Sequence, residues 1–548
     1  MPTYGINPYI SFVESRLFPG VVQHAVFHRL TGEIVEPDER ARSLLLAARS
    51  GTPLLINQAD LQMRQLVQKE FLIPKGHDPL ALLFDQYVTR PVQNPAVAYR
   101  SKTGDWILVR TSMMHTVYSR RLNELPEIFE EKLSPLAADI LLMADGTKTL
   151  RQIFNELQVD DSEFRSAIDF LTSQERQLIK FTLRLEDLHE PFSLVNIIPR
   201  NLYHSERKDS DAISEFHQSG IEDAAWEFDQ IEPTVNHGFR FPHEALGGLD
   251  YGSRFCLATL RPEVVPLMSN SPRLEVLEVG GGTGTFARAF LQRAASLNGP
   301  CLNYHILDLS PALMKSQRKI LSELLPESRH FQQDATEFDL PDHTFDLIIS
   351  NEVIADVPVA SVHRDNDGKW QGDGAYYLDK YDLSDQDAPD SFVVNAGVFR
   401  FLGCAWEHLR PGGTMVLSEY GSEHRYPAAS FNLNHDEYTI HFGHVISCAT
   451  KVGFQCRLLT LKEFLNFDDS VLVLDGREEH LLCLNHVLNN YGEVLPYAVI
   501  SKSDFEQRCG SIVEQTRLIG YSFSPLHMGF HFGPNIRDFL VLIMHKPE

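Results

Sequence analysis

Residues 274 to 294 read LEVLEVGGGTGTFARAFLQRA: an acid, Glu278, then glycines at 280, 281, 282 and 284, between an apolar run and a helical one. Glycine tolerates positive φ and close backbone approach, so a strand ending in such a turn can hold a ligand against main chain at the carboxyl end of a sheet. A triphosphate loop needs Lys followed by Ser or Thr after its last glycine, and Thr285-Phe286 stand there instead. A dinucleotide fingerprint counted from Gly280 puts its third glycine on Thr285 and fails as well. The bland alternative is a tight structural turn with no ligand. A second group of chemically capable residues is His435, His441 and His444 in NLNHDEYTIHFGH. Two of them share a helical face, but no recognisable ligand set is completed, so no metal is expected. His441 stands as a candidate general base, against the commoner half-buried histidine.

The elements that must position the turn alternate plainly. LEVLEV, NYHILDL, HTFDLIIS and GGTMVLSEYG read as strands separated by helices, with DFLVLIMHK supplying a late strand. That alternation predicts an α/β, Rossmann-like doubly wound sheet. The front of the chain is different and reads as winged-helix-like α+β modules, one of them over 1–95. Residues 1–95 carry a strand-like VVQHAVFHRL, two helical runs and a short strand, FLIP, and residues 96–185 repeat the order with DWILVRT and MMHTVYS as a strand pair, three helices and LIKFTL. ARSLLLAARSG and AADILLMADG match in pattern, which suggests a weak internal duplication. A linker over 186–270 includes HGFRFPHEALGG, where His237, Arg240 and His243 sit in a candidate lid or a plain surface loop, and 271–548 completes the division.

Composition bounds the function. A chain of 548 residues suggests several domains, and its 43% hydrophobic content is that of a globular protein. Seventy-four acidic against 49 basic residues give a formal charge of −25, which disfavours general binding to a phosphate backbone, so no nucleic-acid partner is expected. The seven cysteines are scattered with no CxxC pair, which points to a reducing cytoplasm. No signal-peptide pattern or long apolar run appears, so neither secretion nor a membrane partner is expected.

ExGxGxG at 278–284 resembles the first motif of the class I S-adenosylmethionine-dependent methyltransferases. The resemblance implies S-adenosyl-L-methionine as cofactor, with Glu278 helping to hold its methionine end and Gly280, Gly282 and Gly284 passing beneath it. It places a ribose-binding acid at the end of the second strand, matched by Asp308 followed by Leu309, and an adenine-contacting acid at Asp334-Ala335. Within that class, SNEVIADVPVA at 350–360 resembles the MidA-like family, whose signature is approximately Asn-Glu-apolar-apolar-Asp-Ala-apolar-Pro. Asn351, Glu352 and Pro358 match. Asp356 is displaced by one position, since the family's Asp falls on Ala355. The resemblance covers roughly 230–548 and implies relatives that include protein arginine methyltransferases and assembly factors.

Methyl transfer from a sulfonium is an in-line displacement, so the site mainly has to position a nucleophile. Glu352, where the acceptor is expected to enter, can orient an amine or guanidinium, accept a proton, or simply cap a helix N-terminus. Glu352, Asp356 and His441 are the catalytic candidates, and Asn351 joins the cofactor set.

LSPLAADILLMADGTKTLRQIFNEL resembles the PqqD-like winged-helix module that recognises precursor peptides in ribosomal natural-product pathways, over about 105–182. The resemblance implies a leader peptide added as a strand to a sheet edge, with Trp106 to Arg110 or Met113 to Ser119 as the receiving edge. The alternative is a winged-helix packing or dimerisation domain. Taken together, the chain reads as a methyltransferase acting on the core of a precursor peptide whose leader it binds. A protein arginine or small-metabolite methyltransferase, and a non-catalytic assembly protein on the same scaffold, are the competing readings. A homodimer is left open.

Overall fold

The computed structural model describes all residues except 1–2, 19–20, 29, 32–33, 36, 56–60, 81–82, 92–95, 112–127, 174–175, 177, 183–216, 219–220, 222–233, 270, 327–328, 341–343, 433–434, 477 and 528–535. Two compact units divide the chain, one of residues 1–208 with 472–532, the other of 209–471 with 533–548. The segmentation expected from the sequence therefore differs at the end of the chain, where 472–532 leaves the second unit and joins the first.

The second unit is built on one large sheet. Its main strands are β1 (Arg273–Val279), β2 (Cys301–Asp308), β3 (His330–Gln332), β4 (Phe345–Asn351), β5 (Leu409–Ser422), β6 (Gln455–Thr460) and β7 (Phe539–His545), in the order β3-β2-β1-β4-β5-β7-β6. The first five run parallel to one another, and β7 runs antiparallel between β5 and β6. Chain direction reverses its progress across the sheet between β1 and β4, which opens a crevice at their carboxyl ends. β1 and β4 are mostly buried and carry apolar residues between their few polar ones, Leu277, Val279, Phe345 and Ile348 joining one large core.

Five helices matter to the site: α1 (Tyr251–Thr259), α2 (Thr285–Ala295), α3 (Pro311–Ile320), α4 (Ala396–His408) and α5 (Phe442–Val452). Their starts are written in the sequence. Asp250 caps α1, Ser310 caps α3 ahead of a proline in its first turn, and His441 caps α5. Between β4 and α4 the chain makes an antiparallel sheet of Ala360–Arg364, Trp370–Gln371 and Ser391–Val394, where the sequence reading had only a helix. The short strand run SFVV and the turn-forming Asp365-to-Gly368 segment were its local signals.

The first unit consists of small antiparallel sheets with short helices. Ala96–Arg100, Trp106–Thr111 and Ile128–Leu133 form one of them, with Trp106–Thr111 in the middle. That corrects one expectation: Trp106 to Arg110 is hydrogen-bonded on both sides and offers no free edge. The alternative receiving segment, Met113 to Ser119, lies outside the described residues. Helix Glu478–Asn489 lays Leu484, Val487 and Leu488 against Val97, Tyr99 and Val109 of this sheet, which is why 472–532 belongs to this unit. Among the described residues no helix is long and apolar enough to cross a membrane.

Candidate active site

The glycine turn follows β1. Gly280, Gly282 and Gly284 all have positive φ, at 75°, 50° and 90°, but they are glycine for different reasons. A Cβ on Gly280 would strike the Val353 side chain, and one on Gly284 would come within 3.0 Å of the Gln317 backbone. A Cβ on Gly282 would meet nothing within 4 Å, so its demand is conformational. Gly281 is closed in by Ile306 and Gln317.

Around this turn runs a cavity lined by Glu278, Gly280–Thr283, Thr285, Asp308, Leu309, Asp334, Ala335, Asn351, Glu352 and Asp356, with His217, Thr234, Asn236 and His237 closing it from the segment before α1. The structure thus brings together the sequence-predicted Glu278, Gly280, Gly282, Asp308, Leu309, Asp334, Ala335, Asn351, Glu352 and Asp356. Gly284 does not line the cavity, because it packs against α3 as the N-cap of α2. Among the described lining residues there are five carboxylates and no Lys or Arg. Such a lining suits a cationic occupant with hydroxyl and amine donors.

Each acid is held differently. Glu278 is 2% exposed, and the Tyr304 hydroxyl donates to it at 3.2 Å. Burial pushes its pKa up to about 8, with Asp308 adding to the push. Asp308 accepts from the Gly281 and Ser310 N–H groups at 3.1 and 2.9 Å and from Gln317 Nε2 at 2.7 Å. A carboxylate offers about four acceptor sites, so three protein donors leave room for one from a ligand. Asp334 accepts the Thr336 N–H on Oδ1 at 2.7 Å. At the other end, Tyr251, fully buried on α1, donates to Asn351 Oδ1 at 2.7 Å.

Glu352 has φ +56°, unusual for a residue with a side chain, and its carboxylate accepts the Val235 N–H at 2.7 Å, the Asn236 N–H at 3.4 Å and Asn351 Nδ2 at 3.1 Å. Burial pushes its pKa up to about 7 against these donors. The helix-capping alternative is the one realised, with a twist: Glu352 caps the single helical turn Val235–Gly238, far away in sequence. Asn236 Nδ2 then donates to Thr285 Oγ1 at 3.1 Å, so this turn is fastened to β4 on one side and to the start of α2 on the other. His237 of the candidate lid lines the cavity, whereas His243 is spent capping Glu244–Leu246.

Asp356 closes a 3-10 turn, Ile354–Asp356, and faces the cavity with His217, whose Nε2 lies 3.6 Å from its Oδ2. The displaced Asp of the signature therefore still reaches the site. His217 and Gln317 were not anticipated: ISEFHQSG and MKSQRK carry no pattern that marks either. Glu419, on β5, is a buried acid accepting from the Tyr420 and Ala355 N–H groups, and burial holds its pKa well above the usual range, with Glu352 and Asp356 adding to that.

His441 is a correction. It does not line the cavity: its Nδ1 accepts the His444 N–H at 3.2 Å, and its ring stacks on that of His444 at 3.7 Å. Burial pushes its pKa down to about 3, which suits a neutral cap. Capping and stacking account for the His441–His444 spacing.

With that strand order, glycine turn and carboxylate-lined crevice, and on the family match over residues 256–393, this is an S-adenosylmethionine-dependent methyltransferase with S-adenosylmethionine as its cofactor. Residues 256–393 match the family model described as "Putative S-adenosyl-L-methionine-dependent methyltransferase". Among curated proteins, a highly reducing polyketide synthase of Emericella nidulans is 28% identical over 95 residues, which are 16% of this chain and 4% of the synthase. Among solved structures, a COG1565 superfamily member from Burkholderia thailandensis bound to S-adenosyl-homocysteine is 15% identical, covering 62% of this chain and 88% of its own at TM-score 0.31. Streptomyces venezuelae DesVI is 16% identical, covering 39% and 87% at TM-score 0.25.

Proposed function

We propose that the enzyme methylates a ribosomally made precursor peptide in natural-product biosynthesis, binding the leader through a PqqD-like winged-helix module over 96–185. The observation that carries this reading is an edge strand in that module. Among the described residues Ile128–Leu133 pairs with Trp106–Thr111 on one side only, and it exposes Ile128 and Phe129 at 36% and 39% just before helix Pro135–Met143. An edge strand with apolar side chains beside a helix is a receiving surface for an extended peptide. Tethering the leader raises the local concentration of the core at the methyl-transfer site, so that site needs little sequence preference of its own.

S-adenosylmethionine supplies an electrophilic methyl group on a sulfonium. In this reading Glu278 and the glycine turn take its methionine end, Asp308 and Leu309 the ribose, Asp334 and Ala335 the adenine, and Asn351 the wall between cofactor and acceptor. Glu352 holds the turn that covers the crevice and keeps water out. Asp356 with His217 faces the acceptor, orienting a nitrogen or hydroxyl nucleophile and taking its proton. The seven free cysteines agree with a reducing cytoplasm.

A protein arginine or small-molecule acceptor is the second reading, favoured by the MidA-like run at 350–358. Transfer of labelled methyl to a candidate precursor, with and without its leader, separates the two. Peptide methylation that falls sharply on leader deletion supports the first, and rates indifferent to the leader count against it.

A further inference from the structure

Gln317 sits in α3, 0% exposed, against the glycine turn. Its Nε2 donates to Asp308 Oδ2 at 2.7 Å and to the Gly282 carbonyl at 3.0 Å. Next to it, Ser316 Oγ donates to the Thr283 carbonyl at 3.2 Å. The amide orientation is forced, because the flipped form would set Oε1 against a carboxylate and a carbonyl. Oε1 itself accepts no hydrogen bond among the described residues, so as a core residue Gln317 costs more than a leucine of similar size. Of the two bonds it does make, one goes to the glycine turn and the other to Asp308 at the end of β2.

The consequence lies in one peptide plane. Gly282 C=O and Thr283 N–H belong to the same planar trans unit and point opposite ways. Drawing the carbonyl toward α3 turns the Thr283 N–H away from α3, toward the cavity that Thr283 lines. We infer that Gln317 is a positioning residue that presents the Thr283 amide N–H as a fixed donor to the carboxylate at the amino-acid end of the cofactor. This rests on the cofactor reading above. Ser316 assists by holding the next carbonyl. A backbone donor serves here because a Lys or Arg would repel the sulfonium a few ångströms away.

The test compares two ligands that differ at that end: S-adenosylhomocysteine, which carries the amino-acid group, and 5′-methylthioadenosine, which lacks it. Gln317→Leu is expected to weaken S-adenosylhomocysteine roughly tenfold by titration calorimetry, the scale of one hydrogen bond to a charged group. It should leave 5′-methylthioadenosine within about twofold, since Asp308 keeps the Gly281 and Ser310 donors that fix it. Equal losses on both ligands, or none on S-adenosylhomocysteine, overturn the proposal. If the melting curve shows Gln317→Leu to be unfolded, Ser316→Ala is read instead, with a smaller loss of the same selectivity expected and an unselective or absent one decisive against it. Failure of the folded wild type to bind either ligand would instead remove the cofactor assignment itself.

Discussion

The carboxylate of Glu352 accepts the backbone N–H of Val235 at 2.7 Å, tying the end of β4 to a turn 117 residues earlier in the chain. That bond gives the crevice a cover. Glu352→Ala leaves the Val235 and Asn236 N–H groups without their acceptor and should weaken S-adenosylhomocysteine by about 1–3 kcal/mol, while Glu352→Gln keeps one acceptor oxygen and loses less. Calorimetry gives the affinities, and hydrogen exchange over 234–239 shows whether the turn has loosened. Unchanged exchange and affinity in the alanine variant would refute the role.

Gly280 and Gly282 differ in what an added methyl group would meet. Gly280→Ala collides with Val353 and should lower both the melting temperature and cofactor affinity, with Val353→Ala restoring part of each. Gly282→Ala pays mainly for its φ of 50°, about 1 kcal/mol, and gains nothing from Val353→Ala. A double-mutant cycle with no coupling between 280 and 353 would contradict the contact.

The buried acids set a pH dependence. An acid whose pKa rises on folding binds its proton more tightly folded than unfolded, so stability falls as pH climbs from its ordinary value to its folded one. For Glu278 that window runs from 4.5 to about 8, and for Glu352 from 4.5 to about 7. Buried His441 and His480, pushed down to about 3 and about 4, act oppositely, but only below their ordinary 6.5. Between pH 7 and 8 the carboxylates decide, and the cofactor-free enzyme should melt progressively lower. S-adenosylmethionine, by bringing positive charge to those acids, should flatten the slope. A melting temperature that rises over that interval without ligand is the contrary result.

His441→Ala removes the cap of α5 and a stacked ring, and is expected to cost about 1–2 kcal/mol of stability. Its S-adenosylhomocysteine affinity should match the wild type. A selective loss of affinity at unchanged stability would return His441 to the site.

Much of the catalytic unit is legible locally. Apolar runs of strand length, caps such as Ser310, and glycines after an acid are local rules, and they place Glu278 and Asp308 near the carboxyl ends of their strands and Asp334 just beyond a third. What Asp308 does is only partly local: its position follows from the strand, while its occupation by Gly281, Ser310 and Gln317 follows from how α3 packs on the turn.

By itself the sequence determined the doubly wound sheet, the glycine turn and the acids flanking it, because each is specified within a strand, a turn and a cap. Only the tertiary structure decided that Glu352 holds a distant turn, that His217 meets Asp356, that Gln317 lies under the glycines, that Trp106–Thr111 is a central strand, and that 472–532 packs with the front of the chain. Those are contacts between residues far apart in the chain. They depend on which faces are buried together, and no spacing in one stretch of sequence encodes that.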